Sequence, residues 1–371
     1  MYRCVSCDRT YPETAGTPWR CSCHGPLEFA GRPLPERDEP PAQLDRDDGL
    51  WAFDAFLPVD RTVTLGEGWT PLVETPTRNV RYKLEWLFPT GSFKDRGAAV
   101  TLSHAKSLAV DRVVEDSSGN AGAAIATYAA RADIDAEIFV PADAKPGKLR
   151  AIERTGATVR RIDGSRADVT DACIDAIGES VGDSADAGAD SLGWYASHAW
   201  NPAFFEGTAT FAYELAAQCG WEVPDAVVTP LGHGTLFLGA YRGFKALREA
   251  GWIDEIPRLY GAQATGVAPI VEDRRATTDD ALTNDIADGI QIETPARREQ
   301  IHEALEKSGG DAVAIDAATT EIWYDRLHNQ GFYVEPTCAV APSALEQLRA
   351  SGEIRSDEDV VVALTGSGLK T

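Results

Sequence analysis

Short apolar runs alternate with longer, partly polar segments through the middle of the chain. The short runs predict β-strands, and the longer segments predict helices. In chain order, the pattern predicts a strand at 113–115, a helix after Asn120, a strand at 137–140, a helix at 145–155, a strand at 158–162 and a helix through Asp175. Strands that alternate with helices are typical of an α/β protein with parallel, doubly wound sheets.

The length and the proline-rich stretches suggest how the chain is divided. A chain of 371 residues is longer than one hydrophobic core usually serves, so we expect two lobes and a small N-terminal appendage. The predicted boundaries are an N-terminal segment at 1–30, a linker at 31–60 and a main domain at 61–371, in which a smaller mobile lobe occupies about 98–202. A stretch rich in Asp, Ala and Gly at 182–193 predicts a surface loop.

Three predicted strands run into loops rich in glycine and hydroxyl residues. The first loop contains Ser117, Ser118, Gly119, Asn120 and Ala121, the second contains Gly232, His233, Gly234, Thr235 and Leu236, and the third begins at Thr365. A helix follows each of the first two loops, so N–H groups at its positive end could bind a carboxylate or a single phosphate. The second loop has neither the P-loop lysine nor the third glycine of a dinucleotide fingerprint. A plain N-cap or turn would also explain each loop taken alone.

Lys94 stands among small and apolar residues, in the stretch Thr90-Gly91-Ser92-Phe93-Lys94-Asp95-Arg96-Gly97. Only eight of the 35 basic residues are lysines, which makes a lysine in this setting unusual. Burial would favour its neutral amine, which can act as a nucleophile and as a general base. For this segment alone, the alternative is a surface lysine at the start of a helix, with its charged neighbours in solvent.

The Lys94 segment and the three loops together resemble the fold type II pyridoxal-phosphate enzymes. The ending Gly368-Leu369-Lys370 resembles the threonine synthase family within that group. The resemblance extends from about Leu65 onward and includes Thr70-Pro71-Leu72 and Glu335-Pro336-Thr337. The order and spacing of the motifs make the set much more specific than any one motif. The resemblance implies an α/β fold with two doubly wound parallel-sheet lobes.

The resemblance also implies a role for each motif. Lys94 would carry pyridoxal 5'-phosphate as an internal aldimine, with Phe93 beside the ring. Asn120 would bind the phenolic oxygen of the cofactor. Thr365 would lie at the pyridine nitrogen, where a hydroxyl group favours elimination and replacement over transamination. The phosphate would be cradled by Gly232, His233, Gly234, Thr235 and Leu236. The substrate carboxylate would be held by Ser117, Ser118, Gly119, Asn120 and Ala121.

The stretch from His198 to Thr208 bears on the substrate. Threonine synthases tend to have a serine and an arginine there that help to hold the phosphate of O-phosphohomoserine, whereas this chain has Ala199 and Phe204. The resemblance implies a lyase that converts O-phosphohomoserine and water to threonine and phosphate. The departure leaves open a serine or threonine ammonia-lyase, or another β-elimination or replacement enzyme. His198 could supply the missing cation. A non-catalytic cofactor-binding protein is the alternative from another class.

Four cysteines fall within the first two dozen residues, at Cys4, Cys7, Cys21 and Cys23. Two closely spaced thiol pairs predict a zinc-ribbon-like segment, because thiolates are soft ligands for one tetrahedral zinc ion. The second pair has one spacer residue instead of the usual two, so His24 could replace Cys23. One alternative is a ribbon without metal. A disulfide is the least favoured interpretation, because the compartment is expected to be reducing. The other cysteines are predicted to be small buried residues, namely Cys173, Cys219 and Cys338.

The chain is strongly acidic, with 58 acidic against 35 basic residues, a net charge of −23 and a pI of about 4.6. The negative charges on such a surface repel one another at low salt. Together with the small number of lysines, this excess of acidic residues indicates a protein from a salt-accumulating organism. It disfavours nucleic acid and anionic membranes as partners. The chain has no run long enough to span a bilayer and no N-terminal signal peptide pattern, which predicts a cytoplasmic enzyme acting on a small amino acid. The resemblance implies a homodimer.

Overall fold

A computed structural model describes residues 1–36, 39–144, 146–177, 193–275 and 283–370. The described strands are β1 (Tyr2–Cys4), β2 (Thr10–Tyr11), β3 (Leu27–Phe29), β4 (Leu72–Glu74), β5 (Val80–Lys83), β6 (Arg112–Glu115), β7 (Asp135–Pro141), β8 (Thr158–Ile162), β9 (Trp194–Tyr195), β10 (Ala226–Pro230), β11 (Arg258–Ala264), β12 (Ala312–Ile315) and β13 (Val360–Ala363). The described α-helices are α1 (Lys94–Ser107), α2 (Asn120–Ala132), α3 (Pro146–Glu153), α4 (Arg166–Ile177), α5 (Pro202–Gln218), α6 (Thr235–Glu249), α7 (Pro269–Arg274), α8 (Arg298–Ser308), α9 (Ala317–Asn329) and α10 (Val340–Ala350). Segments of 3-10 helix lie at Arg46–Phe56, Asp288–Ile290, Pro336–Ala339 and Gly368–Lys370.

The chain divides into two compact units. Unit 1 consists of residues 1–33, 47–67 and 94–207, and unit 2 consists of residues 34–46, 68–93 and 208 onward. The predicted domain boundaries at residues 30 and 60, and the mobile lobe at about 98–202, remain predictions. Part of the predicted linker is packed within unit 1, since Leu50, Trp51 and Phe53 are buried.

Among its described residues, unit 1 contains two sheets. The N-terminal strands form an antiparallel sheet in the order β2-β1-β3, and four later strands form a parallel sheet in the order β8-β7-β6-β9. Val113 of β6 and Ile138 of β7 are buried in one cluster with Ala124 and Ile125 of α2. The small alanine side chains of α2 let the helix lie close to the strands. Parallel strands with covering helices confirm the predicted α/β alternation in this part of the chain.

Unit 2 contains a six-stranded sheet in the order β12-β11-β10-β13-β5-β4. All neighbouring pairs are parallel except β4, which pairs with β5 in the antiparallel direction. The two central strands are buried along their length and consist almost entirely of apolar residues. Continuous apolar runs are typical of parallel strands that are covered on both faces. The predicted parallel sheet is thus confirmed, with one antiparallel strand at its edge.

Most predicted elements match the structure closely, and the exceptions are at their ends. The structure ends α3 at Glu153, two residues before the predicted end, and Lys145 lies outside the described residues. Helix α6 already begins at Thr235, so the last two residues of the predicted second loop belong to the helix. The predicted surface loop at 182–193 also lies outside the described residues, except for Gly193. In the part of the chain that is described, every helix is too short or too polar to cross a membrane.

The motif Thr70-Pro71-Leu72 is tied to a buried ion pair in unit 2. Lys83 of β5 pairs with Glu214 of α5, and neither side chain is exposed. The Lys83 ammonium also donates to the carbonyl oxygen of Thr70 at 2.7 Å, and the Thr70 hydroxyl donates to Glu85 at 2.6 Å. Loss of one partner would leave a buried charge without compensation. These bonds fix the start of β4 relative to β5.

Candidate functional site

Lys94 is the first residue of α1 in unit 1. Its Nζ atom lies 5.8 Å from the centre of the Phe204 ring, within the range of a cation–π contact. The next two residues, Asp95 and Arg96, are completely buried, so they are not the solvated neighbours of a surface lysine. The structure therefore places Lys94 beside an aromatic ring, in line with the apolar setting that its sequence predicts.

Gly97 of α1 makes room for the ring of Phe204, which belongs to α5. A Cβ atom on Gly97 would overlap the Phe204 ring, which is completely buried. Only glycine at position 97 therefore lets the ring lie this close to α1. Where the resemblance predicts an arginine, this chain therefore has the apolar ring of Phe204 next to Lys94.

The first predicted loop follows β6 and leads into α2 in unit 1. The N–H group of Gly119 donates to the Ser117 hydroxyl at 3.3 Å, and Ser117 is buried. Gly119 is the N-cap of α2, and no described side chain caps this helix end. A Cβ atom on Gly119 would have no neighbour closer than 3.8 Å, so this position has room for a methyl group. The N–H groups at a helix N-terminus suit a carboxylate.

Glu115 and His198 form a buried pair near this loop. The Nδ1 atom of His198 lies 2.6 Å from Oε1 of Glu115, and the backbone N–H of His198 donates to the other carboxylate oxygen at 3.3 Å. Burial, followed by the like charge of Asp116, raises the pKa of Glu115 well above its usual range, and Lys94 opposes this shift. Glu115 therefore holds the imidazole ring of His198 in a buried position. Sequence reasoning named His198 but gave no sign of this partner.

The second predicted loop follows β10 in unit 2. Gly234 has a φ of 77° and is the N-cap of α6, and no described side chain caps this helix end either. A Cβ atom on Gly234 would lie 2.7 Å from Cδ1 of Ile301, and one on Gly232 would lie 3.2 Å from Cα of Ile290. Gly234 is therefore required by its backbone conformation and by Ile301, whereas a side chain at Gly232 would only press tightly on Ile290. The two glycines leave the N-terminus of α6 lined by backbone groups, as a phosphate cradle requires.

The third predicted loop, also in unit 2, follows β13. The carbonyl oxygen of Thr365 accepts a 3.2 Å hydrogen bond from the N–H of Phe93, so these two predicted residues lie together. The N–H groups of Thr365 and Gly366 both donate to Sγ of Cys338 at 3.2 Å. Burial, and then the nearby Glu335, raises the pKa of Cys338 to about 12, which keeps the thiol neutral.

Cys338 was predicted only as a small buried residue, and its contact with the Thr365 loop was missed. It is completely buried, as is Cys173, whereas Cys219 is only partly buried and accepts from Arg81 at 3.4 Å. Cys338 follows the motif Glu335-Pro336-Thr337, and this position next to a family motif was the one available signal.

The four N-terminal thiols lie together in unit 1. The Sγ atoms of Cys4, Cys7, Cys21 and Cys23 are all within 4.8 Å of one another, and those of two pairs, Cys4 with Cys23 and Cys7 with Cys21, are 3.5 Å apart. Zinc–sulfur bonds of about 2.3 Å in a tetrahedron place sulfur atoms roughly 3.8 Å apart, so the four thiols fit one zinc ion. Burial opposes ionisation of Cys21, but hydrogen bonds from the Cys23 N–H and the Tyr11 hydroxyl lower its pKa to about 6. Among the described residues, this group contains Cys23 and does not contain His24.

The predicted residues are thus brought together in two sets, each within its own unit. Unit 1 contains Lys94, the 117–121 loop and the four thiols, and unit 2 contains the Gly232 loop and the pair formed by Phe93 and Thr365. Their roles toward a cofactor or substrate remain predictions.

Comparison with known proteins assigns these features to a family. Residues 63–366 match the family described as "Pyridoxal-phosphate dependent enzyme". The chain is 32% identical to a threonine synthase of Methanocaldococcus jannaschii, over 100% of this chain and 93% of that protein. It is also 32% identical to a threonine synthase of Methanosarcina acetivorans, over 86% of this chain and 80% of that protein.

Solved structures with the same fold include two enzymes at low sequence identity. A fungal L-serine ammonia-lyase from Rhizomucor miehei has a TM-score of 0.66 at 20% identity, over 80% of this chain and 93% of that one. Maize serine racemase has a TM-score of 0.65 at 20% identity, over 88% of this chain and 94% of that one. At this identity the likeness concerns the fold alone, and it confirms the fold type II architecture that the motifs predict.

Proposed function

Because this chain belongs to the family of pyridoxal-phosphate-dependent enzymes, and within it is related to threonine synthases, we propose that it converts O-phosphohomoserine and water to threonine and phosphate. The observation that carries this proposal is the 32% identity to a threonine synthase over the whole chain, which includes the N-terminal cysteine segment.

Each unit contains residues that would suit a part of the cofactor. The glycine-bordered N-terminus of α6, with Gly234 at a φ of 77°, would hold the phosphate through backbone N–H groups. Lys94 would bind the cofactor covalently, with Phe204 beside its side chain. Asn120 would bind the phenolic oxygen, and the Thr365 hydroxyl would lie at the ring nitrogen. When bound, pyridoxal phosphate withdraws electrons from the α-carbon of an amino acid.

The chain's own groups would position the substrate and move its protons. The N–H groups at the start of α2 and the hydroxyls of Ser117 and Ser118 would hold the carboxylate, which fixes the α-carbon relative to Lys94. The Nζ atom of Lys94 would accept the α-proton and return protons in later steps. The apolar face of Phe204 would keep water away from that amine on one side.

A second candidate, β-elimination from serine or threonine to a 2-oxo acid and ammonia, is favoured by one observation. Phe204 is completely buried against Gly97 at the position where an arginine is expected to hold the substrate phosphate. An arginine would bind a phosphate through two parallel hydrogen bonds, which a phenyl ring cannot make. His198, the other candidate cation, already has Glu115 as a partner.

Parallel assays on three substrates separate the two candidates. O-phosphohomoserine should yield phosphate and threonine in equal amounts if the chain is a synthase. Release of a 2-oxo acid and ammonia from serine or threonine, with no phosphate release from O-phosphohomoserine, would instead establish the ammonia-lyase. Purified protein that takes up pyridoxal phosphate but acts on none of the three substrates would rule out both.

The role of Lys94 is tested by its replacement. Lys94→Ala should lose about 100- to 10,000-fold in rate or more, because the base and the covalent attachment are both removed. After borohydride treatment, peptide mass spectrometry should find the cofactor mass on Lys94 in the parent protein and on no peptide of the variant. Lys106→Ala is the matched control, since Lys106 lies on the same helix and donates to the Ala132 carbonyl oxygen at 3.3 Å.

A further inference from the structure

The thiol segment, defined here as residues 1–33 with its four clustered cysteines, packs against α1 within unit 1. The Tyr2 hydroxyl and Nε2 of His104 are 2.5 Å apart, and His104 is 2% exposed. The Phe29 ring lies 5.3 Å from the His104 ring in an edge-on arrangement. His104 belongs to α1, the helix that begins at Lys94. One strand pair of the thiol segment therefore contacts the helix that carries the cofactor lysine.

A second contact reaches the strand beside the 117–121 loop. The Trp19 ring lies 5.4 Å from the Tyr195 ring and 4.8 Å from the Trp200 ring, edge-on in both cases. Tyr195 belongs to β9, which pairs with β6, and its hydroxyl donates to Asp116 at 2.9 Å. Asp116 directly precedes the loop. Trp19 therefore packs against Tyr195 of β9, and β9 pairs with β6, the strand that leads into the loop.

A third contact reaches α5 close to Phe204. Arg32 donates from Nη2 to one carboxylate oxygen of Glu206 at 2.7 Å and from Nε to the other at 2.9 Å. Glu206 is almost completely buried. Paired hydrogen bonds of this kind fix orientation as well as distance. The thiol segment is therefore attached at three places, and each attachment lies on an element that carries a residue near Lys94 or the loop.

The residues that make the first two contacts are closely linked to the thiols. Tyr2 and Cys4 are both buried in the three-residue strand β1, and Trp19 lies two residues before Cys21. The buried core of this segment consists of Tyr2, Cys4, Cys21 and Leu27, so two of its four members are the thiols themselves. Small segments with a core of this size commonly rely on a metal or another cross-link to keep one conformation.

We propose that Tyr2 and Trp19 are positioning residues, through which a metal ion on the four thiols holds α1 and β9, and hence Lys94 and the 117–121 loop, in place. This inference rests on Lys94 as the cofactor lysine and is independent of the substrate. The metal would order β1 and the segment before Cys21, and the ordered side chains would in turn restrain the two elements.

Hydrogen exchange of the full-length holoprotein, followed by mass spectrometry, tests the coupling. Zinc is measured by elemental analysis, removed with a chelator and then restored. Removal of zinc should speed hydrogen exchange in residues 1–30. It should also speed exchange by roughly tenfold in residues 94–107 and 194–200, while exchange in unit 2 stays unchanged. Restored zinc should reverse these changes. Unchanged exchange in 94–107 with an opened thiol segment would overturn the proposal, and so would a uniform increase over both units or an absence of bound zinc.

Two matched tyrosine variants show whether the coupling runs through the proposed contact. Tyr2→Phe removes the hydroxyl that faces His104, whereas Tyr260→Phe removes a hydroxyl that donates to Glu353 within unit 2 and touches none of the four thiols. At saturating zinc, Tyr2→Phe should raise the dissociation constant of pyridoxal phosphate by about fivefold to tenfold and alter the visible circular dichroism of the bound cofactor. Tyr260→Phe should change neither.

Equal behaviour of the two tyrosine variants would reject Tyr2 as a positioning residue. Trp19→Ala compared with Trp19→Phe tests the second contact in the same way, since phenylalanine keeps an aromatic edge against Tyr195. These readouts use no substrate. They would therefore be unaffected if the proposed synthase reaction proved wrong, and a failure of the coupling would leave the proposed reaction untouched.

Discussion

Gly119 and Gly122 lie three residues apart at the start of α2, yet the structure demands a glycine at only one of them. A Cβ atom on Gly122 would collide with the backbone carbonyl oxygen of Ser117, whereas one on Gly119 would meet nothing closer than the Ser117 hydroxyl at 3.8 Å. Gly119 also has a φ of −97°, which any residue can adopt. The tight turn of the 117–121 loop therefore depends on Gly122.

We expect Gly122→Ala to lower the free energy of unfolding by about 2–3 kcal/mol, because the helix or the loop backbone must shift to admit the methyl group. Urea unfolding followed by tryptophan fluorescence measures this change. The role proposed for this loop predicts that the same variant also weakens substrate binding, since the N–H groups of the loop move together.

Gly119→Ala is the matched control and should stay within about 0.5–1 kcal/mol of the parent protein. If the two variants unfolded at the same urea concentration, the close approach of α2 to Ser117 would not be what makes glycine necessary here.

At the scale of one element, α1 contains a buried histidine, His104, whose protonation is opposed by its surroundings. Burial, opposed by Glu13 and reinforced by the N-terminal ammonium, lowers the pKa of His104 from its usual 6.5 to about 4. A histidine with a lowered pKa binds fewer protons in the folded than in the unfolded state between these values. Its stabilising effect is therefore complete above about pH 6.5 and is lost as the pH falls toward 4.

We expect the free energy of unfolding of the parent protein to fall by up to about 3 kcal/mol over this range through His104 alone. His104→Gln keeps a polar group opposite Tyr2 but cannot titrate. Its stability should decline less steeply between pH 6.5 and pH 4, as measured by denaturant unfolding at a series of pH values. Parallel curves for the two proteins would show that another group, such as Glu13 beside His104, accounts for the decline.

For the molecule as a whole, charge is the dominant surface property. The 58 acidic and 35 basic residues leave a net charge of −23, and most described ion pairs with exposed partners contribute less than about 1 kcal/mol each. Unbalanced negative charge destabilises the compact state by self-repulsion, and added salt shortens the range of that repulsion from about 10 Å at 0.1 M to about 3 Å at 1 M.

Raising potassium chloride from 0.1 M to 2 M should therefore raise the temperature of thermal unfolding by about 5 °C or more, as measured by differential scanning fluorimetry. A variant with several exposed Asp residues changed to Asn should begin higher and respond less. A lower unfolding temperature at high salt would mean that the exposed ion pairs outweigh the repulsion.

The features predicted correctly from the sequence are those encoded in neighbouring residues. The strand before Ser117, the helix after Asn120 and the paired thiols each occupy a short stretch whose pattern depends on local geometry. The start of α6 at Thr235 was misplaced by two residues because glycine marks the end of a strand more clearly than it marks the start of a helix.

The features that the sequence did not reveal join residues far apart in the chain. His104 meets Tyr2 across 102 positions, His198 meets Glu115 across 83, and Cys338 meets Thr365 across 27. No spacing rule connects such pairs, because their distance is set by how the sheets and helices pack. The order of the strands in unit 2 has the same origin, since the pattern identifies each strand but not its neighbour.

Strand β13 lies in the middle of the sheet of unit 2, and this position affects how the protein folds during its synthesis on the ribosome. β13 pairs with β10 on one side and β5 on the other, although it is made after every other strand of that sheet. Until residues 360–363 emerge, β5 and β10 each present an edge that lacks its partner, and such edges invite pairing with other chains. Chaperone demand during synthesis should therefore fall only when the final strand is inserted.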